Sequence, residues 1–122
     1  MGPSTLEFGA ASFAGLMTQA VDIRPTAIVC GNDNLALGAL MAARECGLDA
    51  PGDFSITGFD DLAISSRFSP GLTTMKVDNQ EIGVLAANEL LAVIAGRQAQ
   101  AQSREVVPVL KIRDSAGHAR GA

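Results

Sequence analysis

The chain is poor in the residues that most enzymes and nucleic-acid binders depend on. It has one histidine, His118, close to its end, and two cysteines, Cys30 and Cys46. A single terminal histidine leaves no Ser-His or Cys-His pair on which nucleophilic catalysis could rest. The cysteines lack the spacing of a metal or redox motif and read as buried free thiols, which fits a reducing cytoplasm. Basic residues are also scarce, with 9 Lys and Arg against 13 Asp and Glu and a net charge of −4. Without a basic stripe, this polypeptide by itself is not built to bind DNA or an anionic membrane. No apolar run is long enough to span a bilayer, and the first residues lack the basic and apolar regions of a signal peptide. The glycines between Gly9 and Gly15 have the wrong spacing for a phosphate loop; no enzyme or cofactor is expected, and no metal outside a magnesium alternative at Asp33, Asp60 and Asp61.

What remains is enough for a folded domain. Of 122 residues, 48% are hydrophobic, and no internal repeat is visible. Residues 9–20 carry Phe13, Leu16, Met17 and Ala20 at helical spacing and end before Arg24-Pro25. Residues 27–30 form a short apolar run that predicts a buried strand. Asp33 is placed to cap the following helix, and Gly47 to stop it. Residues 54–57 and 72–76 read as further strands, each after a Pro-Gly turn. A long helix is expected from Asp78, where Asp78 and Glu81 have capping-box-like spacing, to Gly96, with Ile82, Ala86, Leu90 and Ile94 on one face. Residues 106–112 are extended but contain Pro108, which argues for an edge or a crossing. Residues 114–122 read as a loose tail. The alternation of strand and helix predicts an α/β fold with a parallel, doubly wound sheet.

Two polar clusters directly follow apolar runs: Gly31-Asn32-Asp33 and Gly58-Phe59-Asp60-Asp61. In an open α/β sheet, ligands bind outside the carboxyl ends of the strands, so these side chains are placed together by topology. A carboxylate there can accept two hydrogen bonds from adjacent hydroxyls, each contributing roughly 1.5–3 kcal/mol, which suits a sugar or polyol. Two other readings stand beside this one. Asp60 and Asp61 can simply bond nearby turn amides, or Asp33, Asp60 and Asp61 can hold a magnesium ion. Separately, residues 35–43 contain only Leu, Ala, Met and Gly, so that helix is apolar all round and needs cover on more than one side.

Arg24-Pro25-Thr26-Ala27-Ile28-Val29-Cys30-Gly31-Asn32-Asp33, Gly58-Phe59-Asp60-Asp61 and Pro70-Gly71-Leu72-Thr73-Thr74 occur in the order and spacing of the LacI/GalR transcriptional regulators. From about residue 6 to 115 the chain resembles the effector-sensing half of such a regulator. The resemblance implies a type I periplasmic-binding-protein-like fold in which two lobes close on a ligand. Residues 1–77 would then be the C-terminal lobe, and residues 78–105 a helix that packs on an N-terminal lobe missing from this chain. Residues 106–115 would be the return crossing and last strand, and residues 116–122 a disordered tail. It further implies that Asp60 and Asn32 contact a small, sugar-like effector, with Asn79 standing where many sugar binders of the fold place a glutamine. The apolar helix would meet its mate in a homodimer, with Leu37 in the contact and Phe68 near it. DNA would be reached only through an absent helix-turn-helix domain, in the cytoplasm and without a membrane. The alternative is a fragment of the sugar-binding protein of an ABC transporter, which shares the fold but works as a monomer.

Overall fold

Thr5 sets the entry of the first helix. Its Oγ1 accepts the Phe8 amide at 3.2 Å, satisfying a first-turn donor that the helix cannot satisfy itself. Helix α1 therefore runs Leu6–Met17, beginning at Leu6 rather than at Gly9. The computed structural model describes residues 2–96 and 103–118. After α1 the order is a 3-10 turn Val21–Ile23, β1 Ala27–Val29, α2 Asp33–Glu45, β2 Ser55–Asp60, β3 Thr73–Lys76, α3 Asn79–Ile94 and β4 Val109–Lys111. The strands form one sheet in the order β1-β2-β3-β4. β1, β2 and β3 are parallel, with Ile28 beside Ile56 and Asp60 beside Lys76. The expected α/β class with a largely parallel sheet is therefore present, and β4 lies on the edge that Pro108 had suggested.

The residues fall into two compact units. The first runs through Lys76 and regains the chain from Leu110; the second is Val77–Val109. In the first unit α2 packs on β2 and α1 packs on α2. The core is Phe13, Ala36, Leu37, Ala39, Leu40, Ala42, Ala43, Ala50, Phe54, Ile56 and Leu72, with the Phe13 and Phe54 rings 5.1 Å apart between centroids. The two helices cross at glycines. A Cβ on Gly9 would collide with the Leu35 carbonyl, and one on Gly38 with the Leu6 carbonyl. Backbone meets backbone at this crossing, and α1 covers part of the α2 surface that the sheet leaves open, while Met41 stays exposed. Leu37, expected at a contact with a second molecule, is 3% exposed within this chain. Gly47, at φ +70°, closes α2. Leu48 N–H bonds the Ala43 carbonyl and Gly47 N–H the Arg44 carbonyl, the pairing of a Schellman motif that requires a left-handed residue.

Two sequence expectations give way here. β1 was expected to be buried, yet Val29 is 86% exposed, because side chains alternate along a strand and only Ile28 packs against the core. Cys46 was expected to be buried, yet as the C-cap of α2 it is exposed, while burial pushes the Cys30 thiol up to about 11.

The expected loose tail is also corrected, because its first residues are laced into the sheet. Ser115 is fully buried. Its Oγ donates to the Ile56 carbonyl at 2.7 Å and accepts the Thr73 amide at 2.9 Å. The Ser115 carbonyl accepts the Ile56 amide, and Gly117 N–H bonds Ser55 Oγ at 3.0 Å. Serine and glycine there bridge strands instead of forming a tail; residues 119–122 lie outside the described residues.

In the second unit Asp78 caps α3, its Oδ1 accepting the Glu81 amide at 2.9 Å, and Gly96 follows the helix at φ +69°. No residue of α3 is buried. Ile82, Leu90 and Ile94 of the predicted stripe are 42%, 61% and 72% exposed.

Candidate functional site

β1 and β2 run parallel and in register, so the residues that follow them emerge at the same end of the sheet. Asn32 follows β1, and Asp60 ends β2. Asn32, not Asp33, caps α2: its backbone is extended, and its Oδ1 accepts the Leu35 amide at 3.0 Å. The cap belongs to the last residue before the helical turn begins, and Asp33 is already helical. The cap uses only the side-chain oxygen of Asn32, which leaves two N–H donors on the amide.

Asp33 turns inward instead. It is fully buried, and its carboxylate accepts three hydrogen bonds. Oδ2 takes the Leu62 amide at 2.8 Å and Ser65 Oγ at 2.5 Å, while Oδ1 takes Thr74 Oγ1 at 2.5 Å. Its place in the first turn also sets it against the positive end of the helix. A side chain on Gly58 would strike Asp33 Oδ1, so the strand must be glycine where the carboxylate passes.

Asp61 forms an ion pair with Arg113, Oδ1 to Nη2 at 2.5 Å. Arg113 also donates from Nη1 to the Leu72 carbonyl at 2.7 Å. The sequence reading of Asp61 as a turn former fits its φ of +54° but missed this partner. Arg113 lies 52 residues away along the chain, and nothing local to it points to an acid.

Asp60 differs from its neighbours. Its φ is +114°, a region that L side chains rarely adopt. Among the described residues its carboxylate takes no hydrogen bond and no ion pair. Desolvation by its surroundings, and then the charge of Asp33, hold its pKa above the ordinary carboxylate value. Of the three acids considered as magnesium ligands, Asp33 and Asp61 already serve protein donors. An amide with free donors and a carboxylate with free acceptors are what the C-terminal end of β1 and β2 offers to a ligand.

The other expected site residues lie elsewhere. Leu37 is in the core, so its burial already has an explanation within the chain. Phe68 is half-buried beneath the Arg44 guanidinium, whose centre is 5.3 Å from the ring centroid, and Arg44 Nη2 also bonds the Ser69 carbonyl. Asn79 is the exposed first residue of α3, in the second unit.

Residues 3–116 match the model of a periplasmic binding protein-like domain. The chain is similar to the HTH-type transcriptional repressor PurR of Klebsiella pneumoniae, 44% identical over 92 residues, and to that of Erwinia tasmaniensis, 41% identical over the same length. Each match covers 75% of this chain and 27% of the relative, so the chain spans about a quarter of the relatives' length. Among solved structures it resembles a regulatory protein of the LacI family from Chloroflexus aggregans, with a TM-score of 0.84 and 37% identity, covering 96% of this chain and 42% of that one. It also resembles a LacI family transcriptional regulator from Lactobacillus casei with bound sucrose, with a TM-score of 0.78 and 30% identity, covering 92% of this chain and 41% of that one.

Proposed function

The chain belongs to the periplasmic-binding-protein-like domains and, among them, to the effector-binding regions of LacI/GalR-type regulators; from that premise we propose that it senses a small polar effector, a sugar or sugar derivative, through Asp60 and Asn32. The observation that carries this reading is their unspent hydrogen-bonding capacity. Asp60 offers acceptors and Asn32 offers donors at one end of the sheet, whereas Asp33 and Asp61 are bound to the protein. Vicinal hydroxyls, each both donor and acceptor, match such a pair. The sucrose in the Lactobacillus casei regulator supports the ligand class.

Asn79, which the family resemblance implies as an effector contact, is kept as part of the same proposal. DNA binding is proposed for the whole regulator, in the cytoplasm, and not for these residues, whose charge is unfavourable for it. Because the named relatives are repressors and regulators, this reading is preferred over a transporter's binding protein. Self-association belongs to the same proposal. With Leu37 covered, it would use the outer side of α2 at Met41, which is 49% exposed, together with Phe68. Sedimentation of Met41→Lys tests it: a mass equal to that of an associating parent rejects that surface.

The effector proposal is tested by NMR titration of this chain with glucose and sucrose. Shifts should concentrate at the Asn32 side-chain amide and the Asp60 carboxyl. Perturbations confined to other residues would reject the assignment.

A further inference from the structure

The buried carboxylate of Asp33 ties together three segments of the first unit. It joins the start of α2 to β3 through Thr74 and to the bend after β2 through Leu62 and Ser65. That bend also closes on itself. Ser65 N–H bonds the Leu62 carbonyl, and Leu72 N–H bonds the Ser65 carbonyl, both at 2.8 Å. The chain leaves β2 at Asp60 and is already fixed to Asp33 at the Leu62 amide. Only Asp60 and Asp61 separate Phe59, which is paired with Met75, from that anchor, and among the described residues they are the two non-glycine residues with positive φ, +114° and +54°. A connection of two residues held between fixed neighbours places the backbone strain on those residues. Gly58 keeps room for the carboxylate that does the anchoring.

We propose that Asp33 is the positioning residue of the sensor site: its buried carboxylate anchors residues 62–65 to α2 and β3 and thereby forces Asp60 into the conformation in which its own carboxylate faces away from protein partners. The proposal rests on the reading of Asp60 as an effector ligand only for its use, not for its geometry. Asp33 never meets the effector; it acts through Asp60. The charged groups around Asp60 are Asp33 itself, the neighbouring Asp61, which is paired with Arg113, and Lys76, its register partner on β3. Of these, Asp33 is the one whose charge opposes ionisation of Asp60.

The test uses the chain without ligand and reads two quantities: the titration of the Asp60 carboxyl by carbon-13 NMR and the hydrogen exchange of the Leu62 amide. Asp33→Asn keeps the shape and removes the charge, so Asp60 should titrate at lower pH than in the parent. Ser65→Ala removes one of the two donors on Oδ2 and should speed exchange at Leu62 by about tenfold, as a lost local anchor does. Asp33→Ala should do so more strongly, and Ser65→Ala keeps the proposal testable where Asp33→Ala does not fold. An unchanged Asp60 titration in Asp33→Asn, or parent-like Leu62 exchange in Ser65→Ala, would overturn it. The effector reading is tested separately with glucose and sucrose. If Asp60→Ala leaves their shifts intact while both ligand-free results hold, the positioning role stands and the effector assignment falls.

Discussion

Arg113 and Asp61 form an ion pair 2.5 Å long that ties the segment after β4 to the bend after β2. The side chains are only 20% and 14% exposed, so solvent screens the pair less than a surface bridge. Arg113→Ala would leave Asp61 without its partner and the Leu72 carbonyl without its side-chain donor. The expected cost is about 1–3 kcal/mol, read as a lower urea midpoint at unchanged slope.

Asp60 makes a prediction with a defined sign. Its pKa is raised in the folded chain, first by desolvation and then by Asp33, so the folded state holds that proton more tightly than the unfolded state does. This group's contribution to stability therefore falls as pH rises from the ordinary carboxylate value of about 3.9 through the raised one. Above that window the penalty is complete. Asp60→Asn should melt higher than the parent at pH 7, and the gap should narrow toward pH 3. Melting curves for both proteins across that range check it.

The crossing of α1 and α2 is equally specific. Gly38→Val places a side chain against the Leu6 carbonyl, a backbone atom that cannot rotate away, and should cost at least about 1–3 kcal/mol. Gly15 lies in the same α1 with nothing within 4 Å of its would-be Cβ. Gly15→Ala should instead stabilise the chain by about 0.5–1 kcal/mol through helix propensity. Paired thermal melts distinguish the two.

Helix α3 bears an apolar stripe that is open to solvent. An apolar dye should bind the folded chain, and replacing Ile82, Leu90 and Ile94 together with glutamine should lower that signal. Because none of these side chains is buried, each replacement should change stability by no more than about 0.5 kcal/mol. Dye fluorescence and urea unfolding on the triple variant provide the check.

Much of this architecture was legible locally. The spacing of Asp78 and Glu81 marked the start of α3, Gly47 the end of α2, and Pro108 an edge position. These features act within a few residues of themselves. What sequence reading misplaced depends on distant partners. Asn32 and Asp33 are adjacent and chemically similar, and only the positions of Ser65 and Thr74 decide which of them caps the helix and which is buried. The all-apolar α2 announced that it needed cover. That α1 supplies it depends on Gly9 and Gly38 meeting the other helix's backbone, which neither glycine reveals by its neighbours. Ser115 and Gly117 look like tail residues until Ile56, Thr73 and Ser55 are beside them. At the site, the strand-end placement of Asp60 was readable, but its lack of protein partners and the pairing of Asp61 with Arg113 were not.

The proposal that Asp60 binds a small polar effector is tested most directly by affinity. The chain would be joined to the N-terminal sensor segment of the sucrose-bound Lactobacillus casei regulator and titrated with sucrose and glucose, alongside its Asp60→Ala variant. Loss of charged hydrogen bonds should weaken binding by about tenfold to a hundredfold while the fold, monitored by melting, is retained. An Asp60→Ala affinity within about threefold of the parent, less than 1 kcal/mol, would contradict the assignment of Asp60 as the effector-binding carboxylate.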